Sequence, residues 1–225
     1  MRAMTTTGRF ITFEGGEGVG KSTQVKRLAE RLRLLDCEVV ETREPGGSPG
    51  AEAIRHLLLN GIAKPLGTEA EAMLFAAARD DHMVTTIIPS LKRGAWVICD
   101  RFIDSTRVYQ GALGNVDPRL IRSLENVVIG DNTPDLTLIL DVDPEIGLAR
   151  VKKRGEGTNR FEAENLEFHR QVRAAYRDIA EQEPQRCTLV DASDTPDVIA
   201  IRIWMVVSNR LLDPLRATNE PRAVG

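Results

Sequence analysis

Short, dense apolar runs alternate along this chain with longer stretches in which apolar residues recur every three or four positions. Phe10, Ile11, Thr12 and Phe13 make the first run, of strand type, and Val25, Leu28, Leu32 and Leu35 then fall on one face at helical spacing. A second strand is expected over residues 38–42 and a helix over 49–59. Thr68, Glu69, Ala70 and Glu71 have the form of a capping box, which predicts a long helix through Leu74, Phe75, Arg79 and His82 towards Leu91. Residues 96–99 are a β-rich run ending in Asp100 and Arg101, with a short helix expected around 105–110. Asp117 with Pro118, Asp143 with Pro144 and Thr195 with Pro196 each open a further helix, since a capping oxygen followed by proline suits a first turn. Strands at 136–141 and 188–191 and a helix over 166–181 complete the pattern.

Strands alternating with helices imply an α/β fold, a five-stranded parallel sheet with helices on both faces. No repeat or low-complexity linker divides the chain, so a single domain is expected over residues 1–213, with a loose tail over 214–225. Ligands of such sheets gather beyond the carboxyl ends of the strands. Arg43 and Glu44 follow the second strand, Asp100 and Arg101 the third, and Asp191 the fifth, so these residues are expected on one rim.

Between the first strand and the first helix, Gly15, Gly20, Lys21 and Ser22 stand at the spacing G-x-x-x-x-G-K-[ST]. Glycines let successive backbone N–H groups turn inward around phosphate oxygens. Lys21 can neutralise the β- and γ-phosphates, the Ser22 hydroxyl can ligate Mg²⁺, and a helix beginning at Lys21 aims its positive end at the same anion. The competing reading, a glycine-rich turn that merely precedes a helix, is disfavoured by the strand before it and the helix after it. A P-loop NTPase fold follows, with ATP on Gly15, Gly16, Glu17, Gly18, Val19, Gly20, Lys21, Ser22 and Thr23.

Asp100 ends an apolar strand, where a carboxylate can hold the Mg²⁺ shell through water; a loop or helix-capping aspartate is the alternative. Arg101 is expected to point at a second, acceptor phosphate, and an ion pair to Glu17 is compatible with that. Residues 150–160 gather Arg150, Lys152, Lys153, Arg154 and Arg160 beside glycines. Such a run is either a solvated helix face or a mobile lid, spanning about 150–162, whose cations neutralise charge on the transferred phosphoryl group. Position 18 is glycine, so the loop supplies no arginine, and Arg154 is the candidate for the transition-state cation, with Lys21 and Arg101 as the other catalytic residues.

Composition narrows the partners. A formal net charge of −3 over 225 residues gives no general drive towards nucleic acid or an anionic membrane. Arginine outnumbers lysine among the 30 basic residues, which fits planar phosphate recognition. Cys37, Cys99 and Cys187 form no C-x-x-C pair, which favours a reduced, cytoplasmic setting over a disulfide scaffold. There is no long apolar stretch, and residues 1–8 lack the apolar run of a secretory leader.

Five segments together resemble the thymidylate kinase family: residues 13–23; Thr42 to Ser48; Leu74 to Arg79; Asp100, Arg101 and Phe102 with Ser105, Tyr109, Gln110 and Gly111; and Arg154, Gly155 and Glu156 with Arg160, Phe161 and Glu162. They stand in the family's order over about residues 9–195. The resemblance implies transfer of a phosphoryl group from ATP to dTMP, giving dTDP. It implies that Phe75 stacks on thymine and Arg79 bonds a base carbonyl, the bland alternatives being core packing and a surface ion pair. Arg43 and Arg101 would grip the dTMP phosphate, with Glu17 orienting Arg101. Ser105 and Gln110 would face the base, and Tyr109 would pack where a ribose 2′-OH would crowd. Arg150 would join the ATP side, and Asp191 and Ala192 resemble the turn beside adenine. Glycine at 18 with a basic lid is similar to the bacterial form that draws its catalytic arginine from the lid. Asn159 stands where the family commonly has aspartate, in a lid one residue longer than usual. A homodimer through the 68–91 helix is also implied.

Overall fold

A computed structural model of the chain describes residues 8–155, with the Arg154 side chain excepted, and 160–212. The expected tail at 214–225, residues 1–7 and Asn159 lie outside the described residues.

Five strands, β1 (Arg9–Glu14), β2 (Val39–Arg43), β3 (Trp96–Asp100), β4 (Leu136–Asp141) and β5 (Cys187–Asp191), form one parallel sheet in the order β2-β3-β1-β4-β5. The first two helices, α1 (Lys21–Arg33) and α2 (Pro49–Leu59), follow β1 and β2. Next come α3 (Thr68–His82), α4 (Ile88–Lys92), α5 (Ile103–Thr106) and α6 (Pro118–Ile129). Then α7 (Pro144–Arg154), α8 (Leu166–Gln182) and α9 (Pro196–Val207) complete the described helices.

Both sheet faces are buried, which explains why the strands read as continuous apolar runs rather than alternating ones. Ile11, Phe13, Ile98, Leu138 and Leu140 pack with Val25, Leu28 and Leu32 of α1 and Ile199 and Ile203 of α9. The intervening Phe10, Val97 and Cys99 pack on the other face with Met83, Ile87, Phe102 and Ile129. Ile139 extends that second layer towards Val172 and Tyr176 of α8.

The three aspartate- and threonine-led helix starts form as the capping rule requires. Asp117 accepts from Arg119 N, Asp143 from Glu145 N and Thr195 from Val198 N. The box at 68–71 does not form. Gly67 caps α3 and Glu71 is turned to Arg160 of the expected lid, which binds it through both carboxylate oxygens. The long helix widens into a π-helical stretch at Met83–Ile87 before α4. Pro89, near the start of α4, has no N–H to give to the preceding turn, so a regular ladder cannot pass through it. The expected short helix at 105–110 likewise begins earlier, as α5, and continues as a π-helical stretch through Ala112.

The chain leaves β1 towards one edge of the sheet and leaves β3 towards the other. A crevice therefore opens above the carboxyl ends of β1 and β3, where sheets of this kind take their ligands. Register completes the arrangement, since Phe13 and Arg43 both pair with Asp100, the last residue of β3.

Candidate active site

The loop after β1 fills the floor of this crevice. Gly20 caps α1 with φ 96, a left-handed conformation that side-chain-bearing residues rarely adopt, and no atom crowds the place where a Cβ would sit. Gly18, at φ 69, has the opposite surroundings, because a Cβ there would lie 2.0 Å from the carbonyl oxygen of Gly147 in α7. Lys21 is buried and folds its Nζ onto the loop's own carbonyls, donating to Gly16 O at 2.7 Å and Gly15 O at 3.1 Å. Burial, aided by the neighbouring Arg101 charge, pushes the Lys21 ammonium down to about 8.

Arg101 stands at the centre. Its Nη2 donates to Glu17 Oε1 at 2.7 Å, and its Nη1 faces Gly15 O, Ser105 Oγ and Tyr176 Oη at 3.1–3.2 Å. Tyr109 donates to the same Glu17 oxygen at 3.2 Å. Burial works against charge on Glu17, but Arg101 and Lys21 outweigh it and hold the carboxyl below its ordinary value. The expected Glu17–Arg101 pair is therefore present. The sequence pattern gave no sign of Tyr176, which arrives from α8, or of Glu14, which lies beneath the guanidinium.

On the β2 side, Arg43 donates to Glu52 of α2 at 2.9 Å and remains half exposed to the crevice. Arg79 is not a surface residue. It is 4% exposed, with Nε on Glu44 at 2.7 Å and Nη2 on the Phe102 carbonyl and Thr106 hydroxyl. Glu44 also faces His82 Nδ1, whose Nε2 meets Thr42 Oγ1 at 2.7 Å. This buried Glu44 cluster was legible in sequence only as a rim residue. Phe161 stacks edge-on against Tyr109, with centroids 5.1 Å apart, and closes the far side.

On the other side, Arg150 donates to the carbonyls of Ala192, Ser193 and Asp194, stapling α7 to the turn after β5. Asp191 faces away from the crevice, its carboxylate held by Ser193 and Arg202. Ala192 is buried and contributes its carbonyl to that staple.

One cavity of about 810 Å³ unites these parts. Glu17, Gly18, Val19, Gly20, Lys21, Ser22 and Thr23 line it with Arg150, and so do Arg43, Phe75, Arg79, Asp100, Arg101, Ser105, Tyr109 and Gln110. Gly15 and Gly16 lie beneath it as acceptors for Lys21, while Asp191 and Ala192 are outside its wall and Asp194 and Pro196 stand in that place. Arg55 is a wall residue that the motifs did not mark, and Glu44 and Glu162, present in the quoted segments without an assigned role, also stand in the wall.

Ser22 Oγ donates to Asp100 Oδ2 at 2.5 Å on the cavity wall. Among the described residues no group of three or more His, Cys, Asp or Glu side chains gathers as a metal cage. One hydroxyl and one carboxylate beside a phosphate loop is the sparse, hard-oxygen set that suits Mg²⁺, an ion that keeps several waters and shares its shell with substrate phosphates. Among the described residues no helix is long and apolar enough to cross a membrane.

The chain is similar to known proteins in both sequence and fold. The family model described as thymidylate kinase matches residues 13–203. A thymidylate kinase of Bradyrhizobium diazoefficiens is 60% identical over 207 residues, 91% of either chain. One from Nitrobacter winogradskyi is 57% identical over 224 residues, 99% of this chain and 97% of its own. The crystal structure of thymidylate kinase from Ehrlichia chaffeensis superposes with a TM-score of 0.73 at 37% identity, over 89% of this chain and 98% of that one.

Proposed function

The chain belongs to the thymidylate kinase family, and on that premise we propose how its own residues carry the ATP-dependent phosphorylation of dTMP to dTDP. The observation that carries the reading is the single cavity in which the glycine loop with Lys21 and the arginine pair Arg43 and Arg101 face a common space.

ATP lies with its phosphates on residues 15–23, the loop N–H groups and Lys21 binding the β- and γ-phosphates. Lys21 must exchange its two loop carbonyls for phosphate oxygens, which favours the charged form that burial disfavours. The adenine end lies towards Arg150 and the turn it staples. Mg²⁺ held by Ser22 and Asp100 would supply further neutralisation of the β/γ-phosphate charge. The dTMP phosphate is gripped by Arg101 and Arg43, and Glu17 keeps the Arg101 fork aimed. Phe75 offers a flat apolar face to thymine, Arg79 with Gln110 and Ser105 sets the polar side of the base pocket, and Tyr109 fills the space a ribose hydroxyl would need.

The acceptor oxygen is already anionic, so no general base is required. Orientation and charge neutralisation do the work. Arg154, at the end of α7, is the cation for the transferring phosphoryl group, and closure of the segment 150–162 excludes water as a competing acceptor.

We assign the enzyme to the cytoplasm as a homodimer. Met73, Ala77, Asp80 and Val84 form one exposed face of the α3 region, and that face is the proposed contact. Sedimentation of Val84→Glu against the parent chain tests it: the variant should fall to monomer, and an unchanged mass would remove the assignment.

ADP release measured with dTMP, dUMP, dCMP and thymidine as acceptors tests the substrate. dTMP should lead and thymidine should be inert. A preference for thymidine would favour a deoxyribonucleoside kinase instead.

A further inference from the structure

We propose that Glu14 is a positioning residue for this transfer: its ionised carboxylate holds Arg101 in the conformation that grips the acceptor phosphate. The inference rests on the assignment of Arg101 to that phosphate. Glu14 is fully buried at the end of β1 and acts only through other groups.

Arg101 has φ 70, a left-handed conformation that a non-glycine residue adopts at a penalty of about 1–3 kcal/mol. The structure must therefore hold it there. Arg101 N donates to Phe13 O at 2.9 Å, and the next N–H groups of the turn end on Glu14. Phe102 N reaches Glu14 Oε1 at 2.7 Å and Ser105 N reaches it at 3.2 Å. One carboxylate oxygen thus pins the backbone on the carboxyl side of Arg101.

The second oxygen sets the guanidinium. Glu14 Oε2 accepts from Ser105 Oγ at 2.7 Å and from Tyr176 Oη at 2.9 Å. Each hydroxyl has one proton, and giving it to Glu14 leaves only lone pairs to face Arg101 Nη1, at 3.1 and 3.2 Å. The carboxylate orders two hydroxyls, and the hydroxyls fix the fork. Phosphate binding by itself offers no reason for a negative group beneath an anion site, because plain charge would oppose it. The relay supplies that reason.

Protonation would undo it. A neutral Glu14 has a proton of its own, and Ser105 Oγ and Tyr176 Oη lie 3.0 Å apart, so the two hydroxyls can then donate to one another and are no longer both ordered onto Glu14. Burial pushes the Glu14 carboxyl up to about 7, assisted by Asp104 and opposed by Arg101 and by the Ser105 and Phe102 hydrogen bonds. The charged and titratable groups facing it are Asp104, itself paired with Arg186 and Arg107, then Arg101, Lys21 of α1, Cys99 of β3 and Tyr176 of α8.

The test is the KM for dTMP at saturating ATP, over about pH 5.5 to 8.5, for the parent enzyme, Glu14→Gln and Arg101→Ala. The dTMP phosphate titrates in all three, so the ratio of variant to parent isolates the protein. The Glu14→Gln to parent ratio should rise from about one at the acid end to about ten-fold or more above neutrality, with the KM for ATP unchanged. Parallel profiles would overturn the inference while leaving the Arg101 assignment intact, provided Arg101→Ala raises the KM. No effect of Arg101→Ala would overturn both. Should Glu14→Gln fail to fold, Tyr176→Phe removes one relay hydroxyl and should raise the KM for dTMP several-fold; an unchanged value would overturn the relay.

Discussion

Gly18 and Gly147 meet face to face, a Cβ on the first falling 2.0 Å from the Gly147 carbonyl oxygen and a Cβ on the second 2.5 Å from that of Glu17. The phosphate loop is thereby seated on the first turn of α7, the helix that leads into the expected lid. Gly18→Ala must push these backbones apart as well as strain a positive φ. Calorimetry should show ATP binding weakened by about ten-fold or more. Gly18→Arg should fail in the same way rather than supply a loop arginine. An unchanged ATP affinity in Gly18→Ala would contradict this seating.

Glu44 neutralises Arg79 where the two side chains are only 5% and 4% exposed. Glu44→Gln leaves a buried guanidinium without its counter-charge, a loss on the order of 3–5 kcal/mol. Thermal unfolding should therefore shift down by about 10 °C or more in a chain of this size. A melting point within about 2 °C of the parent would mean that Thr106 and the Phe102 carbonyl suffice for Arg79.

Glu14 links stability to pH with a definite sign. Its carboxyl is raised from the ordinary 4.5 to about 7, so between these values the folded state holds a proton that the unfolded chain releases. The stability this contributes is complete below the lower value and is lost as pH rises through the upper one. Melting curves should show the parent losing stability relative to Glu14→Gln from about pH 5 to 8, by up to about 3 kcal/mol. A difference that stays constant, or grows in the parent's favour, would contradict it. The residue thus lowers stability under the conditions in which its charge orders Arg101.

Arg154→Ala should lower kcat by about two orders of magnitude or more while changing the KM for dTMP little, because the cation acts on charge that develops only during transfer. Single-turnover kinetics separate the chemical step from product release. An unchanged rate would move the role to another cation of the 150–162 segment.

Much of this was legible in the sequence because it rests on local rules. The helices opened by Asp117, Asp143 and Thr195 need only a cap and a proline, and the loop at 15–22 needs only its glycines, Lys21 and Ser22. What escaped was non-local. Glu71 satisfies the spacing of a capping box, yet an arginine 89 residues away claims its carboxylate. Arg79 carries two readings in the sequence, a base contact or a surface ion pair, and neither announces that Glu44 and the turn after β3 enclose it. Glu14 looks like the polar end of a strand; its partners come from α5 and α8, and no spacing in the chain announces Tyr176 as one of them. Even the family pattern marks Arg101 by identity alone, whereas its positive φ belongs to the folded backbone.

The most direct measurement follows the phosphoryl group itself. With ATP labelled at the γ-phosphate and dTMP as acceptor, the label should appear in the β-phosphate of dTDP, one label per ADP formed. Label released as inorganic phosphate whether or not dTMP is present, or carried onto the 5′-hydroxyl of thymidine as readily as onto dTMP, would contradict transfer between the glycine loop and the Arg43–Arg101 site.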